Sequence, residues 1–176
     1  VNYVSRVGDF KKHGFEYTGV LKIFKVLLSY EYLWNLIRVQ GGAYGAMAVF
    51  TRYGAGFTSF RDPNISATDK VYQGIADYAA SYEADEREMT KSVIGAISTL
   101  DTPLSPSQEG SRALLAYLTG YTFEDVQRER DQILEADAKD IRALAPMLKA
   151  VLSEDAVCAI VNESQLKTED ISFDKV

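Results

Sequence analysis

Hydrophobic and polar positions change their rhythm several times along the chain. Residues 1–6, Val-Asn-Tyr-Val-Ser-Arg, carry β-branched and aromatic side chains and predict a short strand. Residues 8–19 are glycine-bounded and polar and predict a loop that holds Lys11, Lys12 and His13. Residues 20–39 are apolar around most of a helical circumference, which predicts a helix central to the core. Gly41-Gly42 ends it, because glycine just past a helix takes the left-handed cap conformation at little cost. Residues 43–53 are small and β-prone, Gly54-Ala55-Gly56 supplies a turn and residues 57–61 return, which predicts a hairpin. Both faces of its first strand are apolar or small, so that strand is expected inside a sheet covered by helices. Asp62-Pro63-Asn64 reads as a turn.

The rhythm then becomes helical. Ser66-Ala67-Thr68-Asp69 reads as a variant capping box, with Asp69 as its carboxylate, opening a helix to about Tyr82. Residues 86–100 predict another helix. Ser105-Pro106-Ser107-Gln108 combines a serine cap, proline at the first helical position and glutamine at the third. Thr122-Phe123-Glu124-Asp125 opens a helix that runs through residues 127–139 and bends before Pro146. Residues 156–161 predict a short apolar strand, followed by an acidic tail from Asn162. Strands and helices are segregated rather than alternating, which predicts an α+β layer of mostly antiparallel sheet with helices packed on it, and a single domain over residues 1–176.

Composition adds exclusions. The chain of 176 residues contains one histidine and one cysteine. A structural zinc site needs four Cys or His ligands and a catalytic one three protein ligands, so a self-contained zinc finger or His-rich site is excluded. An all-carboxylate site for a hard metal stays open. A lone cysteine forbids an internal disulfide and gives no sign of a secreted, stapled scaffold. With 19 basic and 25 acidic residues the net charge is -6, which opposes non-specific nucleic-acid binding. Lys22, Lys25, Glu31 and Asn35 interrupt the longest apolar stretch, and a spanning helix needs about 20 mostly apolar residues, so no membrane span is expected. The chain opens on Val-Asn-Tyr-Val without methionine or a signal-peptide pattern, and a segment of something longer is expected. The cytoplasm is the expected compartment, with an organellar matrix as the alternative.

Few residues offer chemistry. His13 would have to serve as the base of any Ser-His-Asp triad, but it sits in Lys-Lys-His-Gly and no nucleophile-elbow pattern accompanies it, so it reads as a solvated loop histidine. Cys158, inside Val-Cys-Ala-Ile-Val, reads as a buried inert thiol. The acidic runs at residues 83–88 and 129–140 read as solvated helix faces. Gly41-Gly42-Ala43-Tyr44-Gly45 follows a helix and opens a strand, the reverse of a phosphate loop. That leaves Arg38 and Tyr44, six positions apart across the glycine pair. Arg38 in the last turn complements its helix dipole and Tyr44 is at home in a strand. Alternatively, the glycines fold the backbone tightly so that an Arg fork and a Tyr hydroxyl donate to one point, such as a peptide carbonyl.

The segments Leu33-Trp34-Asn35-Leu36-Ile37-Arg38-Val39-Gln40-Gly41-Gly42-Ala43-Tyr44-Gly45 and Ser59-Phe60-Arg61-Asp62-Pro63-Asn64 resemble the last domain of insulinase/pitrilysin-family zinc metallopeptidases. The branch containing the presequence proteases and falcilysin is the most similar. The opening Val1-Asn2-Tyr3-Val4 fits that domain's first strand. The resemblance implies a C-terminal fragment of a four-domain clamshell peptidase. Its zinc would be bound in another domain by an inverted HxxEH motif that nothing in this chain matches. Arg38 and Tyr44 carry over as a pair that reaches across a closed chamber, holds the substrate backbone and stabilises the tetrahedral intermediate, with Gly41 and Gly42 beside them in substrate binding. Arg61 and Asp62 match the same pattern and are assigned to hairpin and turn structure. The implied partners are unstructured peptides and the N-terminal catalytic half of the same polypeptide, with no nucleic acid and no membrane. The implied function is a substrate-binding, site-completing domain of a zinc metalloendopeptidase, inactive alone; a non-catalytic assembly relative and an independent small binding protein are the alternatives.

Overall fold

The computed structural model describes residues 2–175; Val1, placed by the sequence in the first strand, lies outside them. Four strands, β1 (Tyr3–Gly8), β2 (Gly45–Phe50), β3 (Ala55–Phe60) and β4 (Ala156–Ile160), form one antiparallel sheet in the order β2-β3-β1-β4. This is the expected α+β layer. Alternation along β1 and β3 turns Val4, Arg6, Ala55, Phe57 and Ser59 inward beneath helices α1 (Val20–Leu27), α2 (Ile65–Gln73) and α8 (Ala145–Ser153). Phe10, Phe24, Phe57 and Tyr72 are fully buried there, each phenylalanine contributing about 1.5–3 kcal/mol.

The opposite face of the sheet is uncovered and largely apolar: Tyr3, Val7, Met47, Val49 and Ile160 are all exposed. Two expectations are corrected by this. The first hairpin strand, β2, is an edge strand with one open face, because its apolar outer positions have no helix layer over them. Cys158 is exposed, because its parity in β4 points it to the open face rather than the core. The helix from Val20 also changes character. After α1 the chain widens into a π-helix over Leu28–Gln40, and its buried residues shift to Leu28, Leu33 and Ile37. The wider winding extends the chain's spacing between core contacts to five and then four residues.

Further along, the predicted helix to Tyr82 breaks at Gly74 into α2 and α3 (Ile75–Ala80). The predicted long helix from Thr122 is three: α6 (Phe123–Leu134), α7 (Ala138–Ala143) and α8, with Asp137 capping α7. The acidic runs are not purely solvated, since Glu129 is buried against Lys22 at 3.4 Å and Arg52 at 3.2 Å. Two helices match their start signals closely: Ser105 with Gln108 forms the capping box of α5 (Pro106–Thr119), and Thr122 with Asp125 that of α6. The helix expected over residues 86–100 is α4 (Glu86–Leu100), capped by Asp85.

Asp69 does not cap α2. It receives a bidentate pair from Arg6, Nε to Oδ1 at 2.7 Å and Nη2 to Oδ2 at 2.9 Å, while Arg6 also donates to Asp155 Oδ1 (2.8 Å) and the Leu152 carbonyl (3.1 Å). The Asp69 hydrogen bond outweighs burial and pushes the Arg6 pKa up, so the cation is held in its charged form.

The α2 amino end is capped from the tail instead. In the segment after α9 (Glu163–Leu166), Glu169 accepts from Ile65 N–H (3.3 Å), Ser66 N–H (2.9 Å) and Ser66 Oγ (2.6 Å). Burial pushes this carboxyl up, but the hydrogen bonds from Ser66, Ile65 and Gln165 together carry it below its ordinary value near 4.5. A lowered folded-state pKa means the contribution is complete above the ordinary value and fades as pH falls through the folded one. Glu169→Ala is therefore expected to cost about 1 kcal/mol at neutral pH and almost nothing in acid. Hydrogen exchange at Ile65 and Ser66 measures it; equal protection in both proteins at neutral pH would refute the cap.

Candidate functional site

The two segments quoted above, separated by the hairpin in sequence, meet in space. The π-helix ends in a pair of nested bonds, Gly42 N–H to the Arg38 carbonyl at 3.0 Å and Ala43 N–H to the Ile37 carbonyl at 3.1 Å. Gly42 between them has φ 79°, a left-handed conformation that side chains resist. A Cβ on Gly41 would stand 2.5 Å from the Ile37 carbonyl oxygen, so neither glycine tolerates replacement without movement. From across the turn, Asn64 Nδ2 donates to the Gly41 carbonyl at 2.5 Å.

Tyr44 leaves this turn toward solvent, 57% exposed, with its N–H on the Arg61 carbonyl (3.3 Å) and its ring 5.3 Å from that of Phe60. Arg38 is half-buried, and its guanidinium lies 4.0 Å from the centre of the Trp34 ring and 5.7 Å from that of Tyr44. The Trp34 stack orients the planar fork while leaving its N–H groups unspent. Among the described residues, no carboxylate lies within ion-pair distance of Arg38, and the Tyr44 hydroxyl has no hydrogen-bond partner.

The corner that follows β3 is rigid. Asp62 is buried and its carboxylate accepts from Ser59 Oγ (2.5 Å), Thr68 Oγ1 (2.7 Å) and Asn64 N–H (2.9 Å). Its backbone exchanges hydrogen bonds with Asn2, whose carbonyl takes the Asp62 N–H at 3.2 Å and whose Nδ2 donates to the Asp62 carbonyl at 2.8 Å. The structure thus brings together Arg38, Gly41, Gly42 and Tyr44. It adds Trp34, whose position one helical turn before Arg38 was the available signal, and Asn64, which the sequence marked only as part of a turn and of the second quoted segment.

His13 is remote from this cluster and pairs with Glu154 at 3.0 Å. A cleft of about 990 Å³, walled by Arg52, Leu104, Arg112, Leu115, Tyr121 and Phe123, likewise includes none of the four residues. Among the described residues no group of three or more His, Cys, Asp or Glu is placed to hold a metal ion, and no helix is long and apolar enough to cross a membrane.

The family model for the presequence protease (PreP) C-terminal domain matches residues 1–163. The chain belongs to this family. Protein HypA of Clostridium perfringens is 42% identical, with an alignment covering all of this chain and 18% of that protein. Presequence protease 1, chloroplastic/mitochondrial, of Arabidopsis thaliana is 32% identical over 94% of this chain and 16% of its own length. The chain thus spans less than a fifth of these curated relatives. In fold it is similar to a putative zinc protease from Bordetella pertussis (TM-score 0.68, 12% identity, 92% of this chain and 94% of that one). It is similar as well to pitrilysin (TM-score 0.61, 15% identity, 90% of this chain and 18% of that one). The C-terminal domain of a peptidase family is what the chain is; its α+β fold is the one those proteases use.

Proposed function

We propose that this chain is the substrate-binding, site-completing domain of a zinc-dependent metalloendopeptidase that degrades unstructured peptides, and that it has no activity alone. The observation that carries this reading is a pair of open donors, the half-buried Arg38 guanidinium and the exposed Tyr44 hydroxyl, set on a rigid turn with no acceptor among the described residues. A hydrogen-bond donor left open on a clamped backbone is preorganised for an acceptor from outside.

In this role Arg38 and Tyr44 donate to the carbonyl of a bound peptide. As that oxygen gains charge in the tetrahedral intermediate, each donor is worth about 3 kcal/mol of barrier lowering. Gly41 and Gly42 keep side chains away from the backbone there and let an extended peptide approach. The zinc of such an enzyme belongs to another domain, since the residues of this chain do not fit it. The task of this chain is donation alone.

The apolar surface supports a domain within a larger body. On α5, Leu114, Leu115, Tyr117 and Leu118 are all at least 60% exposed, and the sheet's outer face is uncovered. Monomers rarely expose apolar surface on this scale, so burial against the N-terminal catalytic half of the same polypeptide is its expected fate. The chain is assigned to the cytoplasm or an organellar matrix. A peptide-hydrolysis assay on the isolated chain, with and without added zinc, tests the proposal. No turnover is expected in either; zinc-dependent cleavage would overturn the placement of the metal.

A further inference from the structure

Arg61 was assigned to turn structure, but its surroundings are those of the site. Its guanidinium lies 5.3 Å from the centre of the Tyr44 ring, the same ring that Arg38 approaches at 5.7 Å. Two cations thus converge on one exposed aromatic. Neither has a carboxylate within ion-pair distance among the described residues, although the chain as a whole carries a net charge of -6.

The backbone at Arg61 is costly to keep. Its φ is 49°, in the left-handed region, where a residue other than glycine, asparagine or aspartate pays about 1 kcal/mol or more. The conformation is held from both sides, by Tyr44 N–H on the Arg61 carbonyl and by the buried Asp62 next in sequence. A turn alone is better served by glycine or asparagine. A long cation kept at a strained, clamped and exposed position points to a task for its charge.

Resting on the substrate-binding role proposed above for Arg38 and Tyr44, we propose that Arg61 is a second substrate-binding cation, which takes a carboxylate of the bound peptide. A guanidinium fork matches a carboxylate bidentately, and a neighbouring cation deepens the attraction. The carboxylate comes either from the peptide's C-terminus or from an acidic side chain near the scissile bond.

The test uses the full-length polypeptide and three matched peptides: one with a free C-terminus and a glutamate near the cleavage point, one amidated, and one with that glutamate replaced by glutamine. Arg61→Asn removes the charge while suiting the left-handed backbone, and Arg61→Lys keeps the charge. The unmodified protein should prefer the peptide that retains the recognised carboxylate by about tenfold in kcat/KM, or about 1.4 kcal/mol. Arg61→Asn should bring that preference close to unity through KM, and Arg61→Lys should retain part of it. The modified peptide that loses the preference identifies the source of the carboxylate. A preference unchanged in Arg61→Asn, or an equal loss on all three peptides with an unchanged melting temperature, would overturn the assignment. The equal loss would place the partner of Arg61 in the enzyme rather than the peptide. If Tyr44→Phe slows turnover while Arg61→Asn leaves selectivity intact, only the Arg61 assignment fails; if Tyr44→Phe turns over normally, the substrate-binding reading itself fails.

Discussion

Tyr44→Phe in the full-length polypeptide is expected to lower kcat by about a hundredfold with little change in KM, the usual consequence of removing one donor to a developing oxyanion. The substitution removes a single hydroxyl. The ring keeps its contact with Phe60 and its approach to the guanidiniums of Arg38 and Arg61. Because the hydroxyl has no partner among the described residues and the side chain is exposed, the fold loses nothing measurable. Metal content should also stay the same. A stability change would therefore be as damaging to this account as an unchanged kcat. Turnover equal to the parent protein returns Tyr44 to the role of a strand residue, and the non-catalytic assembly reading becomes the better one.

Arg6→Met is expected to have the largest effect on stability, about 3–5 kcal/mol. Arg6 and Asp69 side chains are 3% and 6% exposed, and the pair ties β1 to α2. Without the guanidinium the Asp69 carboxylate stays buried with the Gln73 amide (2.7 Å) as its main remaining donor, and an uncompensated buried charge is expensive. The Leu152 carbonyl loses the Arg6 bond and keeps only backbone donors, among them the Asp155 N–H at 3.3 Å. For a chain of this size the loss lowers Tm by about 2–4 °C per kcal/mol. The double variant Arg6→Met with Asp69→Leu should recover much of it, since replacing both members of a buried pair by apolar groups removes the desolvation penalty along with the attraction. A double variant no more stable than Arg6→Met, measured by thermal melting, would show that the cost lies in packing rather than in the stranded charge.

The legibility of each region depended on how local its determinants are. Ser105 with Gln108 and Thr122 with Asp125 satisfy backbone donors within one turn, so the starts of α5 and α6 could be read directly. Asp69 showed the opposite. Read with Ser66 as the cap, it stands where a capping box wants a carboxylate. But α2 starts at Ile65 with Asn64 as its N-cap, which puts Asp69 too deep in the helix to cap and leaves it to a buried Arg6 63 residues away. The cap then comes from Glu169, more than 100 residues downstream, and no local pattern carries that information. The site was half legible. The glycine pair after a helix and the six-residue spacing of Arg38 and Tyr44 are properties of the sequence. That Arg61 faces the same ring is not, because it requires the hairpin register that pairs Gly45 with Phe60.

The sequence by itself determined the layer type, the turn at Gly41-Gly42 and the exclusion of a self-contained zinc-finger or His-rich site. These follow from periodicity, from glycine's freedom at positive φ and from one histidine, each a local or countable property. Tertiary structure alone decided which face of the sheet stays open, where the buried charges find partners and which cations share the Tyr44 ring. Burial and long-range pairing depend on what packs against each element, and a side chain's parity on a strand gains meaning only once one face has been covered.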